Sequence, residues 1–288
     1  MFLSILLVLA AQVPDFQVPS SVAQGDTLRI MGNPAGEAHA TLANKKLRLF
    51  AHPSGLSGLM PVPATLAPGQ YPLTITDASG KALFTQSVTV RDAKFPIQNI
   101  ATTTAMTSLK PAPGEVESIQ AFLNGVSEAR LWSEPFRAPT PECMNSPYGV
   151  QRYYQGKPSG NFHRGLDLRS PLGTPVKATA AGVVKLAHPW NYTGGTVGID
   201  HGQGFTSMYL HLSKIAATEG AMVQAGDVVG YVGSTGFATG PHLHWGLFIS
   251  GVAVNPQKWV AIPACGASPA TAPQKVTPRK RVPTHARN

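Results

Sequence analysis

A chain of 288 residues with 43% hydrophobic side chains is long enough to bury two packed cores, so two domains are expected. Only 13% of its residues are charged, and 29 glycines with 26 prolines favour short strands and frequent turns over long helices. The formal net charge of +9 is concentrated in the last fourteen positions, which contain no acid and five basic residues: Lys275, Arg279, Lys280, Arg281 and Arg287. No aromatic residues are interleaved with these charges, so nucleic-acid binding is not expected, whereas an anionic wall or envelope polymer suits such a tail.

Residues 1–11 form an apolar run that is too short to span a bilayer as a helix. The small residues Val8 and Ala10 fit a cleavage rule, which predicts an export signal cut near Ala10 or Ala11, although the usual positive charge before the run is missing. No cysteine follows to carry a lipid anchor. The protein is therefore expected in the periplasm or at the cell surface, with no stable transmembrane anchor; a buried strand is the alternative interpretation of this run.

Residues 12–95 are expected to form an immunoglobulin-like β-sandwich. Five segments within this range largely alternate apolar and polar residues and are separated by turn dipeptides such as Asn33-Pro34 and Ser79-Gly80. The segments lie at residues 27–30, 39–42, 46–50, 71–75 and 84–90. No catalytic residue types cluster here, which indicates a spacer or targeting role.

A linker that contains one helix is predicted for residues 96–129. The helix begins after Pro113, has acids in its first turn, and carries four apolar residues at helical spacing: Val116, Ile119, Phe122 and Leu123. It is expected to pack between the two domains, and its acids are interpreted as partners of the helix dipole.

Residues 130–264 return to short strands turned at glycines, and an antiparallel β domain is predicted there. Residues 265–288 are rich in Ala, Pro and Thr and then basic, so a disordered basic tail is expected. The two cysteines, Cys143 and Cys265, bracket this second domain. In an exported protein such a pair indicates a disulfide that joins the start of the domain to its end; two free thiols are the alternative.

Three residues in this second domain can converge on one cation. His163 and Asp167 are four apart with Gly165 between them, and His244 follows on a later predicted strand. Three protein ligands leave the fourth tetrahedral position for water, as catalytic zinc requires, and no cysteine enters the group.

Two more histidines are candidates for acid–base chemistry. His242 and His244 are two apart on one predicted strand and therefore project from the same face, and His211 is expected to share a face with Tyr209. Because the metal does not need both members of the 242–244 pair, His211 and His242 are left to act as general base or to hold the developing oxyanion.

Together these motifs strongly resemble the LytM/lysostaphin-type zinc endopeptidases that cleave peptidoglycan peptides. The motifs are His163-x-x-x-Asp167, Tyr209-x-His211-Leu and His242-Leu-His244, supported by Ser146-Pro-Tyr-Gly-Val-Gln-Arg152, Gly173-Thr-Pro-Val, Ile199-Asp-His-Gly202 and Gly233-Ser-Thr-Gly236. The resemblance covers about residues 140–260. It implies a mainly β, LytM-like antiparallel domain of the duplicated-hybrid type with a groove.

The resemblance also implies a role for each matched residue. His163, Asp167 and His244 become ligands of one Zn²⁺ ion, and His211 and His242 become the uncoordinated catalytic pair, with the base among them left open. Groove positions are implied around residues 153, 154 and 161. The expected activity is metal-activated hydrolysis of peptidoglycan crosslinks or stem peptides, with a D-alanine–diaminopimelate bond as the first expectation and a glycyl bridge as the second.

Three alternatives remain at this stage. A catalytically silent protein of the same fold would bind wall or activate another hydrolase, but all five site positions are filled here. A carrier module is suggested by glycine-turned phrases that resemble biotinyl or lipoyl hairpins, although no lysine is convincingly placed at such a turn. The third alternative is nucleic-acid binding through the basic tail.

Overall fold

The computed structural model describes residues 15–34 and 36–266. The predicted signal segment 1–11 lies outside these residues, as does the tail from residue 267 onward, so both stay predictions. Within the described ranges, no helix is long and apolar enough to cross a bilayer. The structure is mainly β, as the sequence predicts.

Eight strands lie within the described amino-terminal residues, 15–34 and 36–91. They are β1 (Phe16–Gln17), β2 (Ser21–Ala23), β3 (Thr27–Gly32), β4 (Ala38–Leu42), β5 (Lys45–His52), β6 (Gly55–Pro61), β7 (Gly69–Asp77) and β8 (Ala82–Arg91). They pair in the order β1-β3-β6-β5-β4-β7-β8-β2. Strand β5 pairs with β4 through residues 45–49 and with β6 through residues 50–52, so it links the two halves of the path. Alternate residues of these strands fill a single apolar core. An immunoglobulin-like sandwich over residues 12–95 stays a prediction.

The predicted linker packs against the carboxy-terminal half of the chain. It contains β9 (Ile97–Ile100), the short helix α1 (Thr104–Ser108) and helix α2 (Glu115–Asn124). Helix α2 begins after Gly114, whose φ of +80° is readily adopted only by glycine. Its residues Ile119, Phe122 and Leu123 pack on the carboxy-terminal core. Val116 is 49% exposed, so only three of the four apolar residues predicted for the packed face of the helix lie on it.

The carboxy-terminal part contains three sheets. Its strands are β10 (Met144–Ser146), β11 (Gln151–Tyr154), β12 (Lys157–Phe162), β13 (Leu166–Leu168), β14 (Pro175–Lys177), β15 (Gly182–Pro189), β16 (Gly195–Gly202), β17 (Phe205–Leu212), β18 (Lys214–Ile215), β19 (Met222–Val223), β20 (Val228–Tyr231), β21 (Leu243–Ile249) and β22 (Val252–Val254), followed by a 3-10 turn (Pro256–Lys258). The large sheet has the order β10-β13-β21-β17-β16-β15-β19, with β22 beside β21. Two three-stranded sheets, β12-β11-β9 and β14-β20-β18, complete the fold.

The central strands of the large sheet are enclosed on both faces. Every residue of β16 is buried, and β17 is buried except at Leu210. Trp245 and Tyr209, which lie directly opposite each other on β21 and β17, are fully buried. A sheet covered on both sides gives the site below a rigid floor.

The amino-terminal strands contact the end of the second domain. The amide of Asn255 donates to the carbonyl of Gly25 at 2.7 Å. The guanidinium of Arg29 lies 4.7 Å from the centre of the Trp259 ring and bonds Glu134 at 2.5 Å. The domain boundaries at 95, 129 and 264 stay predictions.

Cys143 and Cys265 form the predicted disulfide, with a sequence separation of 122. Backbone hydrogen bonds join the same two segments, since the amide of Met144 donates to Pro263 and that of Cys265 donates to Met144. The disulfide therefore closes a long loop between two segments that are already adjacent.

We expect replacement of both cysteines by serine to lower the free energy of unfolding by about 2–4 kcal/mol, because the unfolded chain loses a long-loop constraint. Chemical denaturation of the wild type and the double variant measures this difference. Reductant should lower the stability of the wild type and leave the double variant unchanged. Equal stability of the wild type and the double variant without reductant would show that the disulfide contributes nothing to stability.

Candidate metal centre and catalytic pair

Strand pairing brings Asp167 and His244 face to face. Strand β13 pairs with β21 in a register that puts Asp167 directly opposite His244, and opposed residues of neighbouring strands share one face of the sheet. The Oδ1 atom of Asp167 lies 2.9 Å from Nδ1 of His244. His163 reaches the same point from the turn before β13, with its Nε2 at 2.9 Å from Asp167 Oδ1 and 3.0 Å from His244 Nδ1.

Gly165 makes the close approach of this turn possible. A Cβ atom added at Gly165 would lie 2.5 Å from the carbonyl oxygen of Trp245 and 2.9 Å from Nε2 of His244. Real Cβ atoms essentially never come that close to backbone. The glycine therefore lets the turn that carries His163 lie directly against the strand that carries His244.

The orientation of His163 is fixed by a backbone carbonyl. Its Nδ1 lies 2.8 Å from the carbonyl oxygen of Pro147, which can only accept, so Nδ1 carries the proton. The lone pair of Nε2 consequently points toward Asp167. A histidine that donates its other ring nitrogen to a carbonyl is the usual arrangement for a metal ligand.

Arg152 occupies the second oxygen of Asp167. Its Nη2 donates to Oδ2 at 3.0 Å, which leaves Oδ1 to face the two histidines. Burial raises the pKa of Asp167, but His163 and His244 outweigh it and hold the pKa well below its usual range. Burial lowers the pKa of His244 to about 4 in spite of its hydrogen bond to Asp167. Asp167 is therefore a carboxylate and His244 a neutral ring near neutral pH.

His211 and His242 lie beside this group with their rings 4.9 Å apart. Nδ1 of His211 donates to the carbonyl of Thr235 at 2.9 Å, and Nδ1 of His242 donates to the carbonyl of Gly240 at 2.8 Å. Nε2 is therefore the nitrogen of each ring with a free lone pair. His242 Nε2 lies 3.8 Å from Asp167 Oδ1, so His242 and His244 do share a face.

The expectation that Tyr209 and His211 share a face is wrong. Leu210 lies opposite His244, so regular alternation would turn His211 away from His244. Instead the register between β16 and β17 shifts here, and His211 has a φ of +63°, in the left-handed region that non-glycine residues rarely adopt. The irregularity brings the His211 ring to the face of His244, while the Tyr209 hydroxyl accepts hydrogen bonds within the core from the Thr179 amide and the Ser207 hydroxyl.

Burial is the main electrostatic influence on His211. Together with the neighbouring rings of His242 and His244, it lowers the pKa of His211 to about 3. The ring is therefore neutral near neutral pH and can accept a proton at Nε2. Backbone strain and a displaced pKa at the same residue are features that cluster at functional sites.

A cavity of about 320 Å³ opens over these side chains. Asp167, His211 and His242 line it, together with Arg152 and Phe237. The remaining lining residues come from the β9 segment, helix α1, strand β10 and the loop before β21: Gln98, Asn99, Ile100, Ala101, Met106, Asn145, Ser146 and Thr239. The segment that the sequence suggested was a linker is thus one wall of the cavity.

Of the groove positions implied around 153, 154 and 161, the structure places one near this cavity. The ring of Tyr154 lies 5.8 Å from that of Phe237. Tyr153 and Asn161 line a different cavity, because successive residues of β11 point to opposite faces. Arg152 was not singled out as a site residue; its only sequence signal is that it ends the Ser146–Arg152 motif.

Residues 161–256 match peptidase family M23. The DD-carboxypeptidase/endopeptidase Mpg of Neisseria meningitidis serogroup B is 42% identical over 120 residues, which are 42% of this chain and 27% of Mpg. The peptidoglycan DD-endopeptidase ShyA of Vibrio cholerae serotype O1 is 44% identical over 96 residues, which are 33% of this chain and 22% of ShyA. The chain thus spans about a quarter of the length of these curated relatives.

A crystal structure from Pseudomonas aeruginosa assigned to peptidase M23 has the same fold. It aligns with a TM-score of 0.64 at 27% sequence identity, covering 83% of this chain and 95% of that one. An alignment of this extent reaches beyond residues 161–256 into the amino-terminal strands. On sequence and on fold, the chain contains a peptidase family M23 domain.

Proposed function

We propose that this chain is an exported zinc-dependent endopeptidase that hydrolyses peptide bonds in peptidoglycan crosslinks or stem peptides. The observation that carries the proposal is the convergence of donor atoms from His163, Asp167 and His244 beside two further histidines at one cavity. The names of Mpg and ShyA support peptidoglycan as the substrate class and a DD-endopeptidase as the activity.

The donor set fits zinc. Two imidazole nitrogens and one carboxylate oxygen form a triangle with edges of 2.9–3.0 Å. A triangle of that size suits one ion at the roughly 2.0–2.2 Å distances of zinc to nitrogen and oxygen ligands. Pro147 orients one ligand and Arg152 another, so the surrounding hydrogen bonds of a metal site are in place. His163, Asp167 and His244 would hold the ion.

The uncoordinated histidines supply proton transfer. When bound, zinc contributes Lewis-acid polarisation of water and of the scissile carbonyl. Because carbonyl oxygens fix Nδ1 of both His211 and His242 as a donor, each neutral ring presents a bare Nε2 to the cavity. One ring takes the proton of the attacking water at Nε2 and returns it to the leaving amine. The other ring takes a proton from solvent at Nε2 before the reaction and uses that N–H to donate a hydrogen bond to the developing oxyanion.

The location and the remaining partners follow from the substrate. Peptidoglycan lies outside the cytoplasmic membrane, so the proposal includes export to the periplasm or cell surface. Contact between the basic tail and anionic wall polymers is part of the same proposal, and it rests on charge alone.

We expect Gly165→Ala to weaken zinc binding by at least about tenfold, because the new Cβ collides with the Trp245 carbonyl and with His244 Nε2. Zinc content after dialysis against a competing chelator measures the effect. Gly240→Ala is the matched control, since a Cβ at Gly240 meets nothing within 4 Å. Equal zinc retention by the two variants would contradict the assigned ligand geometry.

Purified crosslinked peptidoglycan should be cut by the wild type, lose cutting on treatment with a chelator and regain it with zinc. His211→Ala should retain zinc but slow hydrolysis about 10²–10⁴-fold, since it removes one of the two catalytic rings and no proposed ligand. His244→Ala should lose both zinc and activity. Identification of the new peptide termini defines the bond, with the D-alanine–diaminopimelate bond expected first.

His188→Ala is the control for histidine removal, because His188 stacks on Trp190 at 3.9 Å and does not line the cavity. It should cut like the wild type. A zinc-loaded, folded wild type that releases no peptide termini would rule out the peptidase and favour a catalytically silent wall-binding role.

A further inference from the structure

Helix α2 begins with an acid that is buried. Glu115 is 1% exposed, whereas Glu117, also in the first turn of the helix, is exposed. An acid does not need to be buried to interact with the helix dipole, and burial costs a carboxylate its hydration unless other groups hydrogen-bond to it. The two acids therefore have different roles.

Both oxygens of the Glu115 carboxylate accept hydrogen bonds from a distant loop. Oε1 accepts from the amide and the hydroxyl of Thr193 at 2.7 and 2.9 Å, and from the amide of Tyr192 at 3.1 Å. Oε2 accepts from Tyr192 at 3.0 Å and from the amide of Ala112 at 2.8 Å. A carboxylate is the one side-chain group that can accept from so many donors without offering a proton in return.

Tyr192 and Thr193, which donate to Glu115, are connected to His211 by two sets of hydrogen bonds. The carbonyl of Thr193 accepts from the amide of His211 at 3.1 Å, at the residue with left-handed backbone. The carbonyl of Tyr192 accepts from the amide of Phe237 at 2.8 Å, which fixes the segment whose Thr235 carbonyl accepts from His211 Nδ1. The Tyr192 ring also stacks on Phe237, a wall of the cavity, at 5.1 Å.

We infer that Glu115 is a positioning residue for His211: it fixes the 192–193 turn, which sets both the backbone of His211 and the carbonyl that orients its ring. Helix α2 is accordingly part of the catalytic unit, although it precedes the 161–256 family match. The catalytic consequence rests on the proposed function, whereas the structural consequence does not. Small displacements of a catalytic group, of about 1 Å, can cost about 10²-fold in rate.

The test compares Glu115→Ala with Glu117→Ala, which removes the same charge from the same helical turn. We expect Glu115→Ala to lower kcat on a crosslinked peptidoglycan peptide about tenfold or more, with zinc content unchanged and KM altered much less. Amide hydrogen exchange at Tyr192, Thr193 and His211 should quicken about tenfold in this variant, because those amides lose their ordered partners. Glu117→Ala should match the wild type in every measurement.

Glu115→Gln is a partial rescue. Its amide oxygen still accepts from Thr193, but its NH₂ group replaces the second acceptor oxygen and faces a backbone N–H that is also a donor. Its kcat and exchange rates should fall between those of the wild type and Glu115→Ala, and it carries the test if the alanine variant does not fold. The inference would be overturned if both Glu115 variants showed wild-type kcat and wild-type exchange rates. It would also be overturned if Glu115→Ala and Glu117→Ala had equal effects. If the wild type cuts no peptide, the proposed function fails, and the exchange rates still decide whether Glu115 holds His211.

Discussion

The site depends on one cross-strand pair, Asp167 opposite His244. The register of β13 on β21 puts the carboxylate and the imidazole on the same face at 2.9 Å. A shift of the strand register by one residue would turn one partner to the other face of the sheet and separate the donor atoms. The register is held because Leu166 and Trp245, the next opposed pair, are fully buried in the core. Core packing therefore fixes the position of the donor atoms.

Local features of the backbone and one arginine position the other side chains around that pair. A turn without a Cβ at Gly165 brings in His163, and Arg152 occupies the second carboxylate oxygen. The left-handed backbone at His211 reverses strand alternation and brings a fourth imidazole ring to the face that carries His163, His242 and His244. That conformation is unfavourable for histidine alone, so it persists only because surrounding hydrogen bonds hold it. The bonds from His211 to Thr193 and Thr235 serve this purpose.

Much of this architecture could be predicted from local spacing. Alternation and glycine turns predict a mainly β chain, and the two-residue spacing of His242 and His244 correctly predicts that they share a face. The spacing of His163 and Asp167 predicts that they meet, and the structure brings them together with His244. Their roles as ligands, and those of His211 and His242 in proton transfer, are part of the proposal.

The remainder depends on contacts that no local pattern contains. Glu115 and Thr193 are 78 positions apart, so the acid looks like an ordinary helix-start residue in sequence. The alternation rule fails at His211 because an irregularity in strand pairing leaves no sequence signature, which is why Tyr209 was wrongly expected on the same face. Likewise, no local pattern shows that β9 pairs with β11, and this pairing places a segment that looks like a linker in the wall of the cavity.

X-ray absorption spectroscopy of the zinc-loaded protein tests the central claim most directly. The account predicts one zinc ion bound to two imidazoles and light oxygen donors at about 2.0–2.2 Å, with no sulfur scatterer, and no bound zinc in His244→Ala. Three or more imidazoles in the wild type, or an unchanged spectrum in His244→Ala, would contradict it, because His211 or His242 would then be a ligand and could not move a proton.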